Sequence, residues 1–154
     1  MKKIILFSTC SLFLFSLPVF AKPDIQLKLE SKKVIKKDNK EEFVDASQAK
    51  PGDILLYTIT VSNKGDSKAI EVEPEGDIPK NTVYVVEKAD IKYPQQFSID
   101  GGKTYFDKPT IKEKKDGKEI TKDAPLDRYN KIKWMIKSLD AKKSLIFKYK
   151  VKVK

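Results

Sequence analysis

Apolar residues recur at every second position along most of this chain. That is the period of an extended strand, whose successive side chains point to opposite faces. Over residues 54–61, Leu55, Tyr57, Ile59 and Val61 share one face and Leu56, Thr58 and Thr60 the other, which predicts a central, largely buried strand. Ile132, Trp134 and Ile136 alternate with Lys131, Lys133, Met135 and Lys137, and Leu145, Phe147, Tyr149, Val151 and Val153 alternate with Ile146 and lysines. Both runs predict half-buried strands. Ile25, Leu27 and Leu29 predict an N-terminal strand, followed by a hairpin in which Val34-Ile35 and Phe43-Val44 flank an Asp38-Asn39-Lys40 turn. Shorter strand-like runs occupy 69–72, 82–86 and 97–106, the last folded back at Gly101-Gly102. Turn residues recur at Pro51-Gly52-Asp53, Asn63-Lys64-Gly65-Asp66, Pro79-Lys80-Asn81 and Asp116-Gly117, and no sustained helical stripe interrupts the pattern. Many short strands at this spacing argue for an all-β, antiparallel β-sandwich, with Leu55, Trp134 and Phe147 meeting in one dry interior. Residues 112–127, charged and poor in apolar side chains, predict a long solvent-facing loop or a flared hairpin.

The first 21 residues stand apart from this pattern. Lys2 and Lys3 precede an apolar run over 4–17, Pro18 ends it, and Val19-Phe20-Ala21 offers the small residues favoured before a cleavage site. Residues 1–21 therefore read as a secretory signal cleaved after Ala21, and residues 22–154 as a single domain. An uncleaved signal would be the membrane attachment. Removing Lys2 and Lys3 leaves 30 basic residues against 22 acidic ones, a net charge of +8. All the remaining bases except Arg128 are lysines. Nucleic-acid surfaces use arginine forks interleaved with aromatics, so a nucleic-acid partner is not expected. The chain has no histidine, and its single cysteine, Cys10, lies in the signal. Those two facts exclude a Ser/His/Asp relay, a cysteine nucleophile, a Cys/His zinc site and a disulfide framework from the mature chain.

Three stretches carry a family likeness: AKPGDILLYTITVSNKGDSKAIEV, the following IPKNTVYV, and the closing IKWMIKSLDAKKSLIFKYKVKV. Together they resemble the bacterial conserved-repeat family catalogued as domain of unknown function eleven, over residues 50–153. The resemblance implies an immunoglobulin-like module of exported and cell-surface proteins, without a catalytic motif. At the matching positions, Pro51-Gly52-Asp53 should turn the chain into the central strand. Asn63 to Asp66 should reverse it, with Gly65 at positive φ. Two places depart from the family pattern. Gly76 stands where an acidic residue is usual, and Asp140-Ala141-Lys142-Lys143 replaces the usual Pro-Gly turn before the last strand. A second, local likeness is to the Asp-box hairpin: Ser98, Asp100, Gly102 and Thr104 stand at its fixed places. There the Asp carboxylate collects backbone N–H groups across a glycine corner, as a folding device.

Two sets of charged residues are candidates for chemistry. Glu71, Glu73, Glu75 and Asp77 recur at every second residue, with Glu71 and Glu73 expected on one strand face, where they would hold calcium or supply an acid and base pair. Lys131, Lys133 and Lys137 on one strand and Lys148, Lys150, Lys152 and Lys154 on the next would form a continuous cationic stripe on a final hairpin. Such a stripe blocks edge aggregation or binds an acidic polysaccharide or lipid head group. The reading that follows is an exported, non-enzymatic envelope module without cofactor. It would be periplasmic or at the cell surface, and its partner an envelope protein or an acidic polymer. An anion-binding protein and a calcium-binding protein or carboxylate hydrolase are the other two classes the residues allow.

Overall fold

In the computed structural model, the strand at the centre of the fold is β3 (Ile54–Asn63), flanked in antiparallel fashion by β1 (Ile25–Lys37) and β12 (Ser144–Val153). The structure describes residues 21–38, 40–87, 92–115 and 117–154. The signal expected at 1–21 lies outside them apart from Ala21, as do Asn39 and Asp116 of two expected turns. β2 (Lys40–Asp45) and β6 (Thr82–Val85) complete a five-stranded sheet in the order β2-β1-β3-β12-β6. The facing layer holds two smaller sheets. In one, β10 (Lys131–Trp134) runs between β5 (Glu75–Asp77) and β7 (Gln95–Ser98); in the other, β11 (Ile136–Leu139) pairs with β4 (Ala69–Val72). β8 (Thr110–Lys115) and β9 (Lys118–Asp123) form a separate two-stranded ribbon, the flared hairpin expected over 112–127. Among the described residues there is no α-helix, only a 3-10 turn at Leu126–Arg128.

The two layers meet through the alternation read from the sequence. Across the ladder between β3 and β12, Ile59 faces Phe147, Tyr57 faces Tyr149 and Leu55 faces Val151, so one face of both strands is apolar. Trp134 comes down on it from β10, 2 % exposed. Its ring centroid lies 5.2 Å from that of Phe147 and 5.9 Å from that of Tyr149. Leu55, Trp134 and Phe147 belong to one buried cluster, which makes the fold an antiparallel β-sandwich.

Three details depart from expectation. The strand anticipated over residues 131–137 breaks at Met135: the Trp134 N–H donates to the Pro74 carbonyl at 3.1 Å and the Met135 N–H to the Pro94 carbonyl at 3.2 Å. β10 and β11 consequently find different partners, and neither pairs with β12, so the anticipated final hairpin does not form. Leu27 and Leu29 share the inner face with Val61 and Ile59 by register, yet they are 57 % and 58 % exposed, because the second layer covers β3 without reaching this part of β1. Gly65 is not among the positive-φ residues. It is needed for closeness instead: a Cβ there would lie 2.2 Å from the Lys22 carbonyl oxygen and 2.5 Å from the Asp24 nitrogen.

Asn63, fully buried at the end of β3, ties these segments together. Its Nδ2 donates to the carbonyls of Ser67 (2.8 Å) and Leu139 (3.0 Å), and its Oδ1 accepts from the N–H groups of Asp24 (3.2 Å) and Gly65 (3.1 Å). Its own N–H donates to the Lys143 carbonyl at 2.9 Å. Replacing a hub of this kind strands buried donors and acceptors, so Asn63→Ala should lower stability by about 3 kcal/mol. Gly65→Ala should cost about 2 kcal/mol by forcing β1 away from the turn. Urea unfolding reads both as earlier midpoints, and unchanged midpoints would contradict this packing.

Candidate functional site

The lysines singled out in the sequence do not assemble into one stripe. Lys131 and Lys133 project outward from β10, in the three-stranded sheet, whereas Lys148, Lys150 and Lys152 project outward from β12, in the five-stranded sheet. The two sets therefore face away from each other across the core. Carboxylates answer three of the five. Lys131 Nζ lies 2.9 Å from Asp77 and 3.6 Å from Glu75, Lys133 Nζ 2.9 Å from Glu73, and Lys150 Nζ 3.0 Å from Glu41 and 3.2 Å from Glu87. The Asp77 hydrogen bond raises the Lys131 pKa against the opposing effect of burial. For Lys150, burial alone would lower the pKa, but Glu41 and Glu87 outweigh it and the net shift is upward. Lys148 and Lys152 make no ion pair among the described residues.

The same contacts engage three of the four acids in the row, Glu73, Glu75 and Asp77. β4 ends at Val72, so Glu73 lies beyond it and does not share a strand face with Glu71 as expected, while Glu75 and Asp77 stand on the short β5. Register sets Asp77 opposite Lys131 and Glu75 opposite Lys133, and the Lys131 ammonium lies between the Glu75 and Asp77 carboxylates. Among the described residues no three metal-ligating side chains converge. Lys133 also lies over the ring of Tyr105, 4.5 Å from its centroid. Burial first, and the nearby Glu75 second, hold that phenol well above its ordinary range.

Ser98, Asp100, Gly102 and Thr104 close a single turn after β7. Asp100 Oδ1 accepts from the N–H groups of Lys103 and Thr104, both at 3.0 Å, and from Ser98 Oγ at 2.8 Å. Its Oδ2 accepts from Thr104 Oγ1 at 2.6 Å. Ser98 Oγ in turn accepts from the Gly102 N–H at 2.9 Å, and Gly101 and Gly102 take φ values of 80° and 90°. The Asp100 carboxylate and the Ser98 hydroxyl are thereby engaged within the turn, and the Gly101 N–H donates to Asn130 Oδ1 at 3.1 Å, an arrangement that holds a corner.

Two of the concavities lie beside the aromatic core. One, of about 450 Å³, has the packed rings of Tyr84, Phe97 and Tyr129 as its floor and Asp107 and Asp123 on its rim. The other, of about 540 Å³, opens where the segment before β7, strand β11 and the turn into β12 come together. Lys92, Tyr93, Lys137, Ser138, Asp140 and Lys143 line it, with the apolar Leu139 and Leu145. The Tyr93 ring stands edge-on to Phe147, with centroids 5.4 Å apart and planes at 87°, and Lys92 Nζ lies 5.2 Å from its centroid. The Asp140 carboxylate is drawn to Lys68 Nζ at 3.1 Å. Sequence reasoning passed over Lys92, Tyr93 and Lys143, because nothing in strand alternation brings residue 92 beside residue 143. The one available signal was the charged turn 140–143 standing where Pro-Gly was expected. Comparison with protein-family models, curated proteins and solved structures gave no match to this chain.

The Asp100 turn has a pH signature. Hydrogen bonds from Thr104, then those from Ser98, hold the Asp100 carboxyl well below its ordinary range. A group depressed in the folded state contributes stability above its unfolded pKa and loses that contribution as pH falls toward the folded one. Stability should therefore decline below about pH 4, and Asp100→Asn, which does not titrate, should show a shallower decline there. Urea midpoints at about pH 6 and about pH 3 test this, and parallel acid limbs in both proteins would refute it.

Proposed function

We propose that this chain is an exported, non-enzymatic module of the bacterial envelope, an immunoglobulin-like sandwich whose work is to present a rigid surface to a partner protein. Support comes from the basic and apolar character of residues 1–21, from the family likeness over residues 50–153, and from the absence of histidine and of any cysteine beyond Cys10. The observation that carries the reading is the edge of β1. β2 pairs with it only from Lys32 to Lys37, which leaves residues 25–31 without a strand on that side among the described residues.

The polarity of this edge follows from its inner partner. The Lys22 and Asp24 carbonyls accept from the N–H groups of Asp66 and Lys64, so even-numbered residues direct their backbone groups toward β3. The odd-numbered Ile25, Leu27 and Leu29 then direct theirs outward. An open edge carrying exposed leucines is a template for an added strand, and the recognition mode that fits it is β-augmentation by an extended segment of a partner. Edge pairing supplies affinity through the main chain, and the leucines supply register.

Two measurements test the proposal. Mass analysis of the chain recovered from fractionated cells should find an extracytoplasmic product beginning at Lys22; an intact chain in the cytoplasm would overturn export. A photo-crosslinking residue at position 27 or 29 should give a discrete protein adduct in cells, lost when the other leucine is changed to lysine, and the same residue at position 112 of the ribbon should give none. Equal labelling from all three positions would overturn the edge as the contact.

A further inference from the structure

The sandwich opens where β6 ends the five-stranded sheet and β7 ends the three-stranded one. Tyr84 from β6, Phe97 from β7 and Tyr129 from the segment behind the 3-10 turn meet at that opening, with the Phe97 centroid 4.9 Å from each of the other two rings. All three rings are buried, so the floor of the hollow is formed before anything enters it. Val86, 66 % exposed, and the half-buried Leu126 stand over this floor as apolar walls, and the space between is about 450 Å³. A valine left in water beside packed rings is surface that a ligand covers with gain.

The rim has the opposite sign from the chain as a whole. Three carboxylates, of Glu87, Asp107 and Asp123, stand on the lining against the one ammonium of Lys108, on a mature chain of net charge +8. Glu87 shares Lys150 with Glu41, and Asp107 accepts from Gln96 Nε2 at 3.3 Å. Asp107 and Asp123 make no ion pair among the described residues. The negative charge is felt at the floor: burial first and Glu87 second raise the pKa of the Tyr84 phenol, and burial first and Asp123 second raise that of Tyr129. A potential that opposes a phenolate at these rings favours a positive charge beside them, and aromatic faces attract a cation in their own right. We infer that this hollow binds a small organic cation, one ammonium group carried on a single aromatic ring or a short apolar chain. The apolar body rests on the three rings between Val86 and Leu126, and the ammonium meets Asp107 and Asp123 at the mouth. The volume suits one ring with a short arm. The hollow lies at the end of the five-stranded sheet remote from β1, and the inference does not rest on the edge of β1 or on export.

Amide chemical-shift titration of the isotope-labelled protein with phenethylammonium, phenethyl alcohol, hydrocinnamate and methylammonium tests it. The first three share a ring and differ in charge, and the last has the charge without the ring. Phenethylammonium should saturate with a dissociation constant of about 1 to 10 mM, the range for so small a ligand, and should move the signals of residues 84–86, 95–97 and 123–129. The alcohol should move the same signals about tenfold more weakly, and hydrocinnamate and methylammonium more weakly still. Raising salt from about 20 mM to about 300 mM should weaken the ammonium and leave the alcohol unchanged. Asp107→Asn with Asp123→Asn should reduce the ammonium to the affinity of the alcohol. Glu30→Gln with Asp66→Asn removes the same charge from two exposed acids elsewhere and should bind as the parent does. Lys108→Ser should bind the ammonium about threefold more tightly, a gain that misfolding cannot produce. The inference is overturned if the ammonium does not saturate at the named signals, if the alcohol or hydrocinnamate matches it, if the two acid pairs lose equally, or if Lys108→Ser binds no better than the parent.

Discussion

The arrangement depends on one buried amide. Asn63 ends the central strand with its backbone N–H on the Lys143 carbonyl and its side-chain Nδ2 on the Leu139 carbonyl, so it grips both ends of the turn that leads from one layer to the other. Its Oδ1 meanwhile fixes the N–H groups of Asp24 and Gly65, which holds the start of β1 against the same corner. A buried amide is retained at low cost only when its donors and acceptor are all met, and here they are. The edge of β1, the surface to which function is assigned, is positioned from this residue.

Inside the sandwich, aromatic contacts do what no single strand pairing does. Tyr57 and Tyr149 stack across the ladder with centroids 5.1 Å apart, Trp134 covers Phe147 and Tyr149, and the Tyr149 hydroxyl donates to the Asp77 carbonyl at 2.7 Å in the other layer. Gly76 is explained by the same ring, since a Cβ there would come within 2.8 Å of Tyr149 Cε1. Position 76 is thus occupied by the one residue that lets this tyrosine pass. Phe147 extends the chain of contacts outward to Tyr93, so the wall of the concavity that Tyr93 lines is seated on the core.

Charge on this protein is arranged rather than merely abundant. Strand register sets the acids of β5 against the lysines of β10, and Glu41 and Glu87 converge on Lys150. Exposed pairs of this kind add little stability each. Their effect is local: the lysines of β10 and Lys150 on β12 each meet a carboxylate close by.

Alternation determined that residues 54–61 and 145–153 would be strands with one apolar face and that Trp134 would be buried, and charge with few apolar residues determined that the run beyond Lys112 would face solvent. These are local matters, decided by the two-residue period and by how much apolar surface each segment has to bury. The same alternation also runs through Leu27 and Leu29, which remain in water, because burial requires a second layer and period says nothing about where that layer stops. Which strands become neighbours was likewise decided by the tertiary structure: a break at Met135 sends β10 and β11 to different partners and parts the lysines of residues 131–133 from those of 148–152. Lys92 and Tyr93 come beside Lys137 and Lys143 only because the segment before β7 packs against residues 137–145. Proximity between segments remote in sequence is set by how the layers pack, and a one-dimensional pattern carries no term for it.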